Sequence, residues 1–179
     1  MPNKMETERD GRMSKLRNMR GIEIPRFRAV SSGPQTLERL FGAEDGFSAW
    51  VDGHKELLKK SVYEPNDFLW HEDEDVDRSV WILAVEDGVT QEDAAPYEII
   101  EFPGGMFLAA TADENDPEDL NGTVDCMMDW IASSSVFTYG DFPQSGMCNM
   151  PNPDGAFDRA LGIAQQQIFL PLKPREVEG

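Results

Sequence analysis

The four residues Ile22-Glu23-Ile24-Pro25 return, with one side chain changed, as Ile100-Glu101-Phe102-Pro103, 78 positions further along the chain. The segments after each copy extend the echo. The first copy leads into Phe27-Arg28-Ala29-Val30, a helical stretch and the run Val80-Trp81-Ile82-Leu83-Ala84-Val85. The second leads into Met106-Phe107-Leu108-Ala109-Ala110, another helix and Gln167-Ile168-Phe169-Leu170-Pro171-Leu172. Two similar modules in one chain pack about a pseudo-twofold axis, and the seam between them is a natural place for a ligand pocket. The predicted class is therefore α+β: a tandem pair of strand–helix–strand–strand modules with pseudo-twofold symmetry. Their strands form an antiparallel sheet with two long helices on one face.

Working outward from the echo divides the chain. Residues 1–21 read as an N-terminal leader outside the core. Residues 22–173 form the domain, with module one over 22–88, an acidic linker over 89–96 and module two over 97–173. Residues 174–179 are a tail. In module one a strand over 22–31 is broken by Ser31-Ser32-Gly33-Pro34. Leu37, Leu40, Phe41, Phe47, Trp50, Val51, Leu57 and Leu58 fall mostly at helical spacing, giving one broken helix or two over 35–60. Phe68-Leu69-Trp70 and residues 79–86 read as a hairpin, its tip at His71-Glu72-Asp73-Glu74-Asp75. In module two a strand pair over 97–112 turns at Pro103-Gly104-Gly105. The next helix is well signalled: Asp116 as N-cap, Pro117 at the first position, and Glu118 and Asp119 beside the positive helix end. A loop over 138–156, with room for a strand near 146–150, a short helix near 156–163 and a strand over 165–172 complete the chain.

The chain of 179 residues carries a net charge of −18, with 40% hydrophobic and 28% charged residues. Residues 1–21 hold six basic and three acidic side chains, which leaves −21 on the rest. A body this acidic repels phosphate backbones, so direct nucleic-acid binding is not expected of it. No apolar run has the length of a membrane span, and no signal-peptide core opens the chain. Cys126 and Cys148 have no metal-ligand spacing. A cytoplasmic location with reduced thiols is expected.

In their order, several of these segments resemble the GyrI-like, or effector-binding, domains found alone or at the C-terminal end of AraC-type and MerR-type transcription regulators. The segments are Ile22-Glu23-Ile24-Pro25, Phe68-Leu69-Trp70, the stretch from Tyr97 to Phe107, and the closing Gln167-Ile168-Phe169-Leu170-Pro171-Leu172-Lys173. The resemblance spans about residues 22–173. It implies two modules with a pocket between them, binding lipophilic, often cationic or aromatic, drug-like molecules. Some standalone relatives look like hydrolases of reactive cyclopropane-bearing compounds, and the namesake is associated with inhibition of DNA gyrase. The last strand in this family carries an acidic residue four positions before the proline of the closing motif. Here that position is Gln167, which can accept a hydrogen bond but supplies no charge.

The expected ligand is a hydrophobic, aromatic small molecule, cationic or neutral, that the protein senses or sequesters; no cofactor or metal is implied. Candidate pocket residues are Trp70, Trp81, Met106, Trp130, Phe137, Tyr139, Gln167 and Phe169, with Phe107 as a further ring. For each ring, packing in the core competes with lining a cavity. Aromatic walls contribute roughly 0.5–2 kcal/mol per stacking or cation–π contact, and methionine thioethers suit adaptable pockets. Glu98 or Glu101, if turned inward, would replace the missing carboxylate. A hydrolase reading needs a base, with Glu98, Glu101 and His71 as stand-ins. A third reading is an acidic module that inhibits a basic protein partner. The acidic hairpin tip lacks the spacing and glycine of a calcium loop and reads as a solvated turn.

Overall fold

The computed structural model describes residues 17–60, 66–72, 75–151 and 155–176. Most of the expected leader, the expected hairpin tip at 73–74 and the last three residues of the tail lie outside these. In chain order the elements are β1 (Arg17–Ile24), β2 (Phe27–Ser31), a π-helical turn (Glu38–Gly42), α1 (Phe47–Gly53), β3 (Asp67–Glu72) and β4 (Asp75–Ala84). Then come β5 (Glu98–Phe102), β6 (Gly105–Asp113), α2 (Pro117–Ser133), β7 (Phe137–Tyr139), β8 (Met147–Asn149), α3 (Ala156–Leu161) and β9 (Gln165–Pro174).

The strands form one curled antiparallel sheet in the order β1-β6-β9-β8-β3-β4-β2-β5, with β7 also on β9. Exchanging β1 with β5, β2 with β6, β3 with β8 and β4 with β9 reverses this order. That is the signature of a pseudo-twofold axis, and it passes between β3 and β8, joined at Leu69 and Cys148. The two echoes sit at opposite ends of the path, in β1 and β5.

The expected strand pair over 97–112 does not form. β5 pairs with β2 of the first module, and β6 pairs with β1 and β9. The reason lies in the short breaks at Pro25-Arg26 and Pro103-Gly104, which carry the chain onward instead of reversing it. Ile24 pairs with Gly105 and Phe27 with Phe102, so the register runs through both breaks without a slip. Residues 17–31 and 98–113 thus make a two-stranded ribbon that swaps one strand between the modules.

The chain also joins the sheet earlier than expected. Arg17 and Arg20 pair with Thr111 and Ala109, and Met19 packs against the core. Polar and charged residues hid this strand, but they suit a sheet edge, where they discourage pairing with another chain.

Alternation along the strands sorts side chains onto two faces. The outer face is covered by helices. α2 packs Met127 and Ile131 on Leu108, Ala110, Ile168 and Leu170, and α1 packs Phe47 and Val51 beside Val30 and Val85. α2 is the long continuous helix, and the Asp116 carboxylate accepts from the Glu118 and Asp119 backbone N–H groups, both at 3.2 Å. Its counterpart is in pieces because Gly46 lies against the turn before it. A Cβ there would stand 2.3 Å from the Arg39 carbonyl oxygen. The inner face holds Ile24, Ala29, Phe68, Trp70, Val80, Ile82, Phe102, Phe107, Ala109, Met147 and Phe169.

Candidate functional site

Rings from both modules meet on the inner face. Phe27 stacks on Phe102 with centroids 4.8 Å apart, and Phe68 lies 5.6 Å from Phe102 and 6.1 Å from Phe27. Phe169 meets Phe68 edge-on at 5.4 Å. Phenylalanines from both modules therefore cluster on the inner face. Its aromatic rim is Trp70, 8% exposed, lying 5.6 Å from Phe142, which is 45% exposed. Phe142 also reaches Phe102, at 6.3 Å.

The loop that presents Phe142 is tied to the sheet on both sides. Gly140 N–H donates to the Pro171 carbonyl at 2.8 Å, and the Tyr139 hydroxyl donates to the Gln144 carbonyl at 2.8 Å. The Ser145 hydroxyl donates to the His71 carbonyl at 2.9 Å, and Lys173 Nζ donates to Asp141 Oδ1 at 2.7 Å. Gly140 is required by its close approach: a Cβ would meet the Pro171 side chain at 2.9 Å. An open pocket of about 340 Å³ lies in this loop, lined by Tyr139, Gly140, Asp141 and Gln144. A second, of about 410 Å³, lies at the opening of β9, where Asp113, Met150, Asp158, Arg159 and Ala164 are among its walls.

The sheet divides the candidate residues between its faces. Trp70 and Phe169 are on the inner face, and Gln167 shares that face by its alternation with Phe169. Trp81 is on the outer face, 5.5 Å from Phe47 and 5.0 Å from Phe41, with its indole N–H donating to Asp67 Oδ2 at 2.9 Å. Trp130, on α2, stacks on Phe137 at 6.5 Å, and Phe137 and Tyr139 pack with the α2 cluster. Met106 is half-exposed, on the same side of β6 as Leu108. Among the described residues, no single cavity gathers all of these candidates.

By the alternation of β5, Glu98 falls on the same side as Ile100 and Phe102, and Glu101 on the opposite side with Ile99. Glu98 and Glu101 are exposed on the edge strand β5, and the two Glu101 carboxylate oxygens lie 3.8 Å from Arg26 Nε and Arg28 Nε, one each. His71 is exposed, with Nδ1 3.0 Å from the Ser79 hydroxyl. Among the described residues no cluster of three or more His, Cys, Asp or Glu side chains is placed to hold a metal ion. Phe27, Phe68, Phe102 and Phe142 are the inner-face rings that sequence reasoning missed. Period-two alternation within each strand would have found the first three. Phe142 sits in a Pro- and Gly-rich loop, where no periodicity assigns a face.

No protein-family model matches the sequence, and no curated protein does. Solved structures do match. EcmrR in complex with DNA has a TM-score of 0.64 at 13% identity, over 94% of this chain and 62% of that one. A hydrolase from Listeria innocua has a TM-score of 0.55 at 12% identity, covering 94% of this chain and 98% of that one. SAV2435 bound to tetraphenylphosphonium has a TM-score of 0.50 at 12% identity, over 87% and 94%. At such identities the likeness is one of fold: a curled antiparallel sheet with a few helices, of the α+β class.

Proposed function

We propose that this protein is a standalone GyrI-like effector-binding domain that takes up a hydrophobic, aromatic small molecule and so senses or sequesters it. The reading rests on one observation above all. Phe142, on a loop tied to the sheet, sets an exposed ring edge-on to buried Trp70 and tilted against Phe102, at the rim of an inner face to which both modules contribute aromatics. An exposed ring on a loop is the member of such a cluster that can swing aside at least cost, since it gives up the least buried area. A flat aromatic guest would take its place on Trp70. A protein of this fold has been solved with tetraphenylphosphonium, an aromatic cation, which supports the ligand class. The net charge of −18 favours cations over anions.

Catalysis has less to start from. A hydrolase shares the fold, but Glu98, Glu101 and His71 are all exposed, and a general base for hydrolysis works best when partly desolvated and aimed at its water.

The test is a panel of planar aromatic dyes, tetraphenylphosphonium and neutral analogues, read by thermal shift and tryptophan quenching. A ligand at a hundred times its Kd stabilises by about 2.7 kcal/mol, which is roughly 5–10 °C for a chain of this size. Quenching should be lost in Trp70→Phe. A panel in which no compound moves either the melting temperature or the emission rules the proposal out.

A further inference from the structure

The inner face carries one polar row. Thr111, Gln167 and Asn149 are in register across β6, β9 and β8, so their side chains stand on one face. Thr111 is 5% exposed and Asn149 only 2%. Asn149 Nδ2 donates to the Asp67 carbonyl at 3.1 Å and to Asp67 Oδ1 at 2.6 Å. Those two bonds fix which end of the amide is which, and they leave Oδ1 pointing away from Asp67. Asn149 Oδ1 and Gln167 Oε1 are both shut off from solvent, and neither has a hydrogen-bond partner among the described residues.

Two buried carbonyl oxygens on paired residues cannot satisfy each other, because both only accept. Leaving such an oxygen unpaired costs more than an average hydrogen bond gains, and native proteins seldom tolerate it without a use. Gln166 does not belong to the pair: by the alternation of β9 it faces the other side of the sheet. The row ends beside apolar ground, since Asn149 lies one step along from the Leu69–Cys148 pair, next to Phe68 on the inner face.

We infer that Asn149 Oδ1 and Gln167 Oε1 form a two-acceptor site for the N–H donors of an amine or amide head group whose aromatic body lies on the inner-face rings. This rests on the binding role proposed above and adds to it a preference for donor-bearing ligands. A protonated primary amine fits best, since it brings three donors and a charge opposite in sign to that of the chain. A carboxylate ligand brings no donor for these two oxygens.

Binding of naphthalen-1-ylmethylammonium and of its N,N,N-trimethyl counterpart tests this directly. The two share ring and charge and differ in N–H groups. Wild-type protein should bind the first at least about tenfold more tightly, the ordinary scale for a hydrogen bond to a charged donor. In Gln167→Met the gap should shrink to less than about threefold, and in Gln166→Met it should stay. Equal affinities in wild-type protein would mean that the amides are satisfied by water or, with one amide reversed, by each other, and would overturn the inference. So would a tenfold gap that survives Gln167→Met. The wild-type comparison decides even if that variant does not fold. If tetraphenylphosphonium binds and neither naphthyl probe does, this inference fails and the binding role stands. If no aromatic probe binds, the binding role itself fails.

Discussion

Gly104 and Ile24 are pressed together where the two halves of the ribbon cross: a Cβ on Gly104 would stand 2.5 Å from the Ile24 carbonyl oxygen and 2.7 Å from the Arg26 nitrogen. Both obstacles are backbone, so neither can turn out of the way. Gly104 also has a φ of 71°, where an L side chain is strained. The contact fixes where β1 passes into β2 beside the point where β5 passes into β6, and so sets the strand exchange on which the shared inner face depends.

Gly104→Ala should therefore cost about 3 kcal/mol or more, from left-handed strain plus a backbone clash. Gly21, on the same ribbon, has no atom within 4 Å of an added Cβ and no positive φ. Gly21→Ala should be neutral or stabilise by up to about 1 kcal/mol. Urea unfolding of the two variants separates these outcomes. Similar midpoints would mean that the crossing tolerates displacement.

At the start of α2, Asp116→Ala removes an acceptor for two backbone N–H groups. The expected loss is about 1 kcal/mol, the usual worth of an N-cap. Asp116→Asn should recover most of it, because the amide oxygen accepts in the same way. Denaturant midpoints for the pair provide the check.

Cys148 makes a pH prediction. Burial pushes its thiol up from 9.0 to about 11, against an opposing pull from a Gln166 hydrogen bond. Below pH 9 the thiol is protonated in both folded and unfolded chains and contributes no pH dependence. Between pH 9 and about 11 the unfolded chain loses its proton first, so folding stability falls, by on the order of 2 kcal/mol. Cys148→Ala should remove that part of the alkaline slope. At pH 8 iodoacetamide should label exposed Cys126 quickly and Cys148 slowly. Equal labelling rates would place the Cys148 thiol in solvent.

How much of this was legible in the sequence depends on whether the cause was local. The α2 signals, from Asp116 through Ile131, act within one helix and could be read directly. The echo at 22–25 and 100–103 gave the module order, because duplicated sequence repeats its structure. Pairing was not legible. Adjacent strands separated by Pro103-Gly104 look like a hairpin until the close contact of Gly104 with Ile24 is known. Trp70 and Trp81 look like two walls of one pocket, yet Leu69 is the partner of Trp81 and Val80 the partner of Trp70, so the two indoles point to opposite faces. Asn149 was invisible as a site residue for the same reason. Only the register of β8 on β9 puts it beside Gln167.

Gln167 offers the sharpest remaining prediction. Its side-chain oxygen is shut away from water on the inner face, so a carboxylate placed there would be desolvated. Gln167→Glu should tighten tetraphenylphosphonium binding by about tenfold at pH 8, the scale of a charge-assisted contact in a poorly solvated site. Triphenylphosphine oxide, neutral and of similar shape, should change by less than about twofold. The ligand-free variant has to bear the cost. Burial raises a carboxyl pKa in the folded state, so the new group is tolerated while protonated and destabilises as pH climbs past about 4.3, the unfolded value. Its melting temperature should fall below that of the wild type at pH 8 and approach it at pH 4, and tetraphenylphosphonium should restore part of the difference at pH 8. Isothermal titration with the two compounds, alongside thermal melts at both pH values, measures all of this. Equal gains for the cation and the neutral oxide would mean that position 167 does not face the ligand.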